Sequence, residues 1–154
     1  MNKLRIRAIG RVPEPWQKEA VDMYVDRLKP LLHLEIIELP EGHKGSAKPD
    51  VEKTRETEGL SLLKGIPDDS TVIALDETGK LMDSPAFAQQ LSHMPSPVTI
   101  LIGGSWGLSN EARSRADLVL SLGKMTLPHG LARVVLLEQI YRAQMIQRGT
   151  PYHK

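Results

Sequence analysis

The chain contains no cysteine among its 154 residues. This absence excludes a disulfide framework, a thiolate nucleophile and a zinc site built on cysteine ligands. The sequence also lacks an uninterrupted apolar run of membrane-spanning length. Its charged amino terminus leaves too short an apolar stretch for a signal peptide. We therefore expect a cytoplasmic protein that makes no use of the membrane.

A strong excess of one charge is missing as well, because the formal net charge is only +1. Apolar residues make up 40% and charged residues 25%, which is typical of a globular protein and predicts one domain over 1–154. From residue 124 onward, five cations accompany the single acid Glu138: Lys124, Arg133, Arg142, Arg148 and Lys154. These cations could contact phosphate, or they could complement a helix dipole, and charge alone favours the dipole.

Several familiar catalytic patterns are absent too. The five histidines show none of the spacings that bind metal, so no metal site is expected. The glycine turn 103–107 matches neither the dinucleotide fingerprint nor a Walker A loop. It does match the G-x-S-x-G nucleophile elbow, but the chain is too short for an α/β-hydrolase. Its glycines either let the backbone approach a ligand or simply allow positive φ, and both readings stay open.

Strand-like and helix-like patterns alternate along the whole chain. Short apolar segments of strand length are separated by helical periodicity, at 4–9, 34–39, 72–75, 98–102 and 118–120. This alternation predicts an α/β protein with a parallel sheet and helices on both faces. A final helix beginning near His129 is apolar over most of its circumference, which is typical of a helix buried on more than one side, often by a partner subunit.

Local signals add five expectations. Trp16 and Tyr24 are expected in the core, on the inner face of the first helix. Asp50 is expected to cap a helix that runs to about Leu63, and Ser84 to cap the helix that follows it. We expect a turn over 76–80. The polar segment 41–48 is expected to be a mobile loop whose lysines, Lys44 and Lys48, either touch nucleic acid or are simply solvated.

Three of the predicted strands end where glycine or a turn begins. The exits follow Leu75, Ile102 and Leu122. In open α/β sheets, ligands bind where loops leave the carboxyl ends of strands. These three exits are therefore expected to surround one crevice, which is the candidate active site.

The combination of these motifs resembles the RlmH family, small SPOUT-class methyltransferases that act on large-subunit ribosomal RNA. The resemblance rests on the strand ending Leu75-Asp76, the strand ending Ile102-Gly103-Gly104, the segment Gly123–His129 and the terminal Pro151-Tyr152-His153. It runs over nearly the whole chain. It implies a carboxy-terminal trefoil knot, a rare exception to unknotted topology. It also implies a homodimer and S-adenosylmethionine as cofactor.

The resemblance implies a role for individual residues. The cofactor-binding positions would be Leu75, Gly103, Gly123, Lys124, Met125, Thr126, Leu127 and Pro128. The implied substrate is a pseudouridine in assembled ribosomes, methylated at ring N3, which must lose its proton. The candidate catalytic residues are His129, Arg142, Tyr152 and His153. Arg133, Arg142 and Lys154 would hold RNA phosphate, and Glu138 would fix an arginine. For each residue a purely structural role is the competing interpretation.

Two other functions remain open at this point. A related knotted methyltransferase would act on tRNA or on a ribose 2′-hydroxyl, and mapping of the methylated RNA separates it from the first hypothesis. A non-catalytic ribosome-binding module would have kept the fold without the chemistry. Such a module need not bind S-adenosylmethionine, so calorimetry with that compound discriminates it.

Overall fold

The computed structural model describes residues 1–43, 45 and 48–154. Five strands and five helices alternate along the chain. The strands are β1 (Lys3–Ile9), β2 (His33–Leu39), β3 (Thr71–Leu81), β4 (Val98–Ile102) and β5 (Leu118–Ser121). The helices are α1 (Pro15–Leu28), α2 (Val51–Leu63), α3 (Ser84–His93), α4 (Asn110–Arg115) and α5 (His129–Gln147).

All strand pairs are parallel, and the sheet order is β2-β1-β4-β3-β5. β4 lies in the centre of the sheet, and all five of its residues are buried. Strands covered on both faces read as continuous apolar runs, which is why 98–102 is the most hydrophobic segment. The parallel sheet with helices on both faces confirms the predicted fold class.

Two apolar cores lie on the two faces of the sheet. The larger one joins β1, β4 and β3 to the helices α1, α3 and α5. The smaller one joins the opposite side chains of the same strands to α2 and α4. Within the chain α5 packs against both α1 and α3. Its broad apolar surface is therefore explained in large part by neighbours in the same subunit.

The inner face of α1 differs from the prediction. Trp16 is 54% exposed and Met23 is 41% exposed, so Trp16 is not a core residue, whereas Tyr24 is half-buried. The buried positions are Gln17, Val21 and Leu28. Gln17 is buried because it lies against Gly130 of α5, where a Cβ would come within 2.4 Å of the Gln17 Oε1. The prediction is therefore confirmed for Tyr24, which packs against the core, and wrong for Trp16, since the close approach of Gln17 to Gly130 is a long-range contact.

The capping residue predicted from the sequence is confirmed for α2 and wrong for α3. Asp50 caps α2, as predicted, and accepts a hydrogen bond from the backbone N–H of Lys53. The cap of α3 is Asp83 rather than Ser84, because the Asp83 carboxylate accepts from the Ala86 N–H at 2.8 Å. Ser84 is already the first helical residue, and its hydroxyl donates to Gln139 of α5 at 2.6 Å. Aspartate and serine are similarly good caps, so the sequence alone did not separate them.

β3 continues beyond the expected turn. It pairs with β5 through Ile73, Ala74 and Leu75 and again through Lys80 and Leu81, with a register shift between the two stretches. Residues 76–79 are thus a bulge inside a longer strand, and the Asp76–Thr78 turn survives within it. A Cβ on Gly79 would lie 2.6 Å from the Val119 carbonyl oxygen, so glycine is required for this approach. Of the loop 41–48, Lys44 lies outside the described residues.

Candidate active site

One cavity of about 520 Å³ opens beside the bulge of β3, which follows Leu75, and at the carboxyl ends of β4 and β5. Its walls come from the three segments predicted to leave the sheet together, around Leu75, Ile102–Leu108 and Leu122–Leu127. Arg55 of α2, Arg113 of α4 and His129 of α5 complete the lining. The volume lies within the range of pockets that bind drug-sized ligands and cofactors.

Glycines shape two of these walls. Gly104 and Gly107 form an isolated bridge that closes the turn after β4, and a Cβ on Gly103 would lie 2.8 Å from the Gly107 carbonyl carbon. Gly107 (φ 84°) and Gly123 (φ 151°) have backbone conformations that favour glycine. No heavy atom of the described residues lies within 4 Å of the Cβ position of either glycine. Positive φ, one of the two alternatives left open by the sequence, is present at Gly107, and the approach of the backbone to a ligand stays a prediction.

Six of the predicted cofactor-binding residues line this cavity: Leu75, Gly103, Gly123, Met125, Thr126 and Leu127. Lys124 and Pro128 belong to the same loop but are not among the lining residues of the described chain. The loop is tied to β3 by the Thr126 hydroxyl, which donates to the Glu77 carboxylate at 2.6 Å. Ser121 stabilises its start, since its hydroxyl both donates to the Gly123 carbonyl and accepts from the Gly123 N–H.

Asp76 and Arg113 form the charged part of the wall. Arg113 Nη1 donates to Asp76 Oδ2 at 3.0 Å, and the Thr78 backbone and hydroxyl donate to Asp76 Oδ1. Burial by itself would raise the pKa of Asp76, but the hydrogen bonds from Thr78 and Arg113 outweigh it. The pKa of Asp76 therefore lies below its ordinary value, and the charge of its carboxylate is neutralised by Arg113.

His129 is the one predicted catalytic residue that lines the cavity. Burial lowers the pKa of its imidazole, and the nearby Arg133 guanidinium lowers it further, while Glu41 acts in the opposite direction. The ring is therefore mainly neutral at pH 7 and able to accept a proton. The Ser105 hydroxyl, by contrast, makes no hydrogen bond to a histidine in the described ranges, as a serine hydrolase would require.

Arg133 is buried and makes its hydrogen bonds inside the protein. The residue is only 3% exposed. Its Nη1 donates to the Glu38 carboxylate of β2, and its Nη2 donates to the Gly10 carbonyl at 2.9 Å. This arrangement does not fit the predicted contact with RNA phosphate, because the guanidinium is already used inside the protein. The sequence interpretation failed here because β2 lies 95 residues before Arg133 along the chain.

Arg142, Tyr152 and His153 form a second cluster, together with Glu138. Glu138 Oε1 accepts from Arg142 Nη2 at 2.8 Å and from the Tyr152 hydroxyl at 3.2 Å. The Arg142 guanidinium carbon lies 4.8 Å from the centre of the Tyr152 ring. The bond to Glu138 raises the pKa of Arg142, and burial, followed by the Glu138 charge, raises the pKa of Tyr152. The tail after Pro151 is thus docked on α5, with Tyr152 packed edge-on against Tyr141.

The Arg142–His153 contact determines a tautomer. Arg142 Nη1 lies 3.1 Å from His153 Nδ1. A guanidinium can only donate, so Nδ1 must accept and the proton of the neutral imidazole is on Nε2. In this state His153 presents an N–H donor to its surroundings.

The two clusters are far apart within one chain. His129 and Arg142 are 13 residues apart on α5, so a rise of 1.5 Å per residue separates them by about 20 Å. The structure therefore brings the predicted cofactor residues together with His129, and it brings Arg142, Tyr152 and His153 together elsewhere. Lys154 is exposed at the end of the tail.

The family model described as predicted SPOUT methyltransferase matches residues 2–153. The chain belongs to the SPOUT methyltransferase family. This confirms the family expected from the sequence motifs. Membership in the SPOUT methyltransferase family implies the trefoil knot at the carboxy-terminal part of the fold.

Curated relatives agree with this assignment over their full length. The chain is 43% identical to a protein named ribosomal RNA large subunit methyltransferase H from Oenococcus oeni, with 100% of both chains covered. It is also 43% identical to the protein of the same name from Carboxydothermus hydrogenoformans, with 99% of each chain covered. These identities show that the family holds along the whole chain and is not confined to the glycine motifs.

Solved structures show the same fold at low identity. A probable methylase family protein from Haemophilus influenzae superposes with a TM-score of 0.57 at 14% identity, covering 99% of this chain and 71% of that one. A methyltransferase from Legionella pneumophila, solved with the bound cofactor SAM, has a TM-score of 0.54 at 14% identity, covering 92% and 66%. At these identities the likeness extends to the fold of the SPOUT methyltransferase family and no further.

Sequence reasoning missed several residues of the site. Arg55, Asp76 and Arg113 line the cavity, and Trp106 forms part of its rim. Glu58 lies behind the glycine turn, 3% exposed, with one oxygen accepting from the Gly42 N–H and the other unpaired. Only Asp76 carried a usable signal in the sequence, as the polar residue that directly follows a buried apolar segment.

The described residues contain no group of acidic or histidine side chains that could hold a metal ion. None of their helices is long and apolar enough to cross a membrane.

Proposed function

We propose that this SPOUT methyltransferase uses S-adenosylmethionine to methylate large-subunit ribosomal RNA, at N3 of a pseudouridine. The observation that carries the proposal is the full-length identity of 43% to proteins named ribosomal RNA large subunit methyltransferase H. A cavity formed at the carboxyl ends of β4 and β5 and at the bulge of β3, on the edge of the sheet where α/β proteins bind ligands, supports it independently. A ribosomal substrate also agrees with a cytoplasmic location.

The cavity fits S-adenosylmethionine. Gly107 and Gly123 both line it, and a side chain at either position would enter open space. The residues that would hold the cofactor are the lining positions Leu75, Gly103, Gly123, Met125, Thr126 and Leu127, with Lys124 and Pro128 in the same loop. When bound, the cofactor supplies an electrophilic methyl group on a sulfonium. The structural relative from Legionella pneumophila carries SAM on the same fold.

His129 is the proposed acceptor of the N3 proton. It lines the cavity and, because burial and Arg133 lower its pKa, its ring is mainly neutral at pH 7. His153 is less suited to that task, since its Nδ1 already accepts from Arg142 and its Nε2 carries the proton. The N–H of His153 is instead suited to donate to a ring carbonyl oxygen, where negative charge develops as N3 loses its proton.

We propose a homodimer in which the tail of one subunit completes the site of the other. Arg142, which contacts Tyr152 and His153, lies about 20 Å from His129 along α5 of its own chain, a separation that argues against one base reaching both. The exposed side chains Trp16 and Met23 lie on α1, the helix that packs beside α5 and the tail cluster. A second copy that covers this face would bury both side chains. It would also bring the partner's tail to the cavity.

The two cations near the tail, Arg142 and Lys154, have different surroundings and are proposed to have different roles. The hydrogen bond to Glu138 keeps Arg142 charged and oriented, so that it positions Tyr152 and His153 and meets phosphate or base from a fixed place. Lys154 is exposed and available to RNA phosphate. Tyr152, with its ring held between Tyr141 and Arg142, is proposed to orient the target base.

The decisive experiment uses methyl-labelled S-adenosylmethionine with ribosomes and tRNA from a strain that lacks the protein. The labelled fragment is then located by nuclease digestion and mass spectrometry. We expect label on the base of one pseudouridine in large-subunit RNA, with better transfer to intact ribosomes than to free RNA fragments. Label in tRNA or on a ribose would contradict the substrate. Binding of S-adenosylmethionine without transfer to any RNA would contradict the activity.

A variant pair tests the role of the tail. His153→Ala is expected to reduce kcat by about 10²- to 10⁴-fold, as loss of a hydrogen-bonding catalytic group does, with an unchanged Kd for S-adenosylmethionine. His93→Ala is the matched control, because His93 lies on α3 and does not line the cavity. Mixed dimers of His129→Ala and His153→Ala chains should regain one working site, whereas a site built within one chain would regain none.

A further inference from the structure

Trp106 occupies an unusual place for a tryptophan. It lines the cavity, yet its side chain is 40% exposed. The inner wall next to it consists of the buried residues Ile102, Gly103 and Leu108. Trp106 therefore belongs to the rim of the cavity, where a substrate arrives, and its indole ring contributes little to the protein core.

Arg55 of α2 is joined to the same rim. Its Nε donates to the Trp106 backbone carbonyl at 2.6 Å, a short charge-assisted hydrogen bond across 51 residues of chain. Its two Nη groups make no hydrogen bond within the described part of the chain, and the side chain lines the cavity. Because only Nε is used, the N–H groups of both Nη atoms can donate hydrogen bonds to a ligand.

The chemistry of the rim favours a nucleotide. An exposed aromatic ring next to a guanidinium is the combination with which proteins hold unpaired RNA, by stacking on a base and contacting its phosphate. By contrast, the rim formed by β3 and the loop after β5 carries the acid Glu77, which accepts a hydrogen bond from the Thr126 hydroxyl. A phosphate is therefore expected on the α2 side, beside Arg55.

We infer that Trp106 and Arg55 form a docking site for a nucleotide next to the methylated one, with the indole stacked on its base and the guanidinium on its phosphate. This inference rests on the proposed function and adds a substrate-binding site on the cavity's own subunit. It assigns Trp106 to RNA recognition and not to the cofactor wall. Because the Arg55 bond goes to a backbone carbonyl, replacing the indole leaves that bond in place.

Trp106→Ala tests the stacking contact. We expect the KM for large ribosomal subunits to rise by about 5- to 150-fold, the effect of losing one base–aromatic stack. The kcat and the Kd for S-adenosylmethionine should stay within about twofold, and Trp106→Phe should restore most of the affinity because it keeps an aromatic face. Leu60→Ala is the matched control, since Leu60 is 75% exposed on α2 and does not line the cavity.

Arg55→Ala tests the phosphate contact through its dependence on salt. Equilibrium binding is measured by sedimentation with large ribosomal subunits and, separately, with unfractionated tRNA. Loss of one phosphate contact should reduce the slope of log K against log salt by about 0.7–0.9. Lys53→Ala removes an exposed cation from the same helix and should leave the slope unchanged.

The outcomes separate this inference from the proposed function. If the wild type methylates ribosomes while both variants bind and turn over like the wild type, the docking site is refuted and the function stands. If the wild type transfers no methyl group to ribosomes but binds either RNA through Trp106, the function is refuted and the docking site stands. Wild-type protein that binds neither RNA would refute both. A raised Kd for S-adenosylmethionine in Trp106→Ala, with unchanged RNA binding, would assign the indole to the cofactor and overturn the inference.

Discussion

Replacing Arg133 by methionine should lower the Tm of the protein and leave its affinity for RNA unchanged. Arg133 joins α5 to the ends of β1 and β2, through the Gly10 carbonyl and the Glu38 carboxylate. Methionine keeps an apolar stem of similar length, so the packing of α5 against the sheet is largely retained. The two hydrogen-bonded contacts are lost.

The magnitude follows from the exposure of the two partners. The Gly10 carbonyl is partly buried, and a hydrogen bond to it from a charged donor contributes about 1.5–3 kcal/mol. The Glu38 side chain is 40% exposed, so solvent screens the ion pair and limits its contribution to at most about 1 kcal/mol. The free energy of unfolding should therefore fall by about 3 kcal/mol. For a domain of this length that loss lowers Tm by roughly 6–12 °C.

Thermal unfolding followed by circular dichroism measures this change, with guanidinium unfolding as a second determination. Lys154→Met is the control, because Lys154 is exposed at the chain terminus and its loss should change Tm by about 1 °C or less. RNA binding is then compared at a temperature where both proteins are folded. An unchanged Tm together with weaker, less salt-dependent binding to ribosomes would refute the structural assignment and restore Arg133 as a phosphate contact.

Three further predictions concern the cavity and its surroundings. Burial, followed by Arg133, places the pKa of His129 below 6.5 in the folded state. The unfolded chain then binds more protons, and the wild type should lose stability relative to His129→Asn as pH falls through 6.5 and below, which Tm at pH 5–7.5 checks. Burial raises the pKa of Glu58 above 4.5. Ionisation of Glu58 therefore lowers the free energy of unfolding of the wild type as pH rises. Urea titrations between pH 5 and pH 8 should show Glu58→Gln gaining stability relative to the wild type. Free energies of unfolding that change with pH in parallel for the two proteins would contradict this. In Gly103→Ala the new Cβ would lie 2.8 Å from the Gly107 carbonyl carbon and must displace the turn. Calorimetry should show S-adenosylmethionine binding at least about tenfold weaker, a loss of 1.4 kcal/mol, whereas Gly65→Ala, away from the cavity, should leave the Kd unchanged.

The local elements could be predicted from the sequence because their signals are local. The apolar run 98–102 indicates a strand covered on both faces, and the structure places β4 in the centre of the sheet with every residue buried. Asp50 before a helical pattern predicts the cap of α2, which the Lys53 N–H confirms. The alternation of strands and helices then makes a parallel sheet the expected arrangement. The predicted exits after β4 and β5 lie at one cavity because parallel strands end on the same edge, whereas the predicted exit after Leu75 is a bulge within β3 that faces the same cavity.

Two of the wrong predictions, those for Trp16 and Arg133, concern residues whose partners are far away in the chain. Trp16 was expected in the core, but the face of α1 that meets α5 is chosen by the fit of Gln17 to Gly130. Arg133 was expected at RNA, but β2 supplies Glu38 to it across 95 residues. The role of Tyr152 was left open between catalysis and structure, and only the structure shows that Glu138 and Tyr141 of α5 hold it. No periodicity or spacing along the chain contains such contacts.

The sequence by itself determined the alternation of elements, the fold class, the family and the loops that line the cavity, because these follow from residue patterns within a few turns of chain. Only the tertiary structure decided which side chains those loops meet. It placed Arg55 on the Trp106 carbonyl, buried Arg133 and Glu58, and separated His129 from the tail cluster by about 20 Å. The physical reason is that desolvation and hydrogen-bond pairing are set by neighbours in space. The same arginine is a phosphate ligand at the surface and a structural link in the interior.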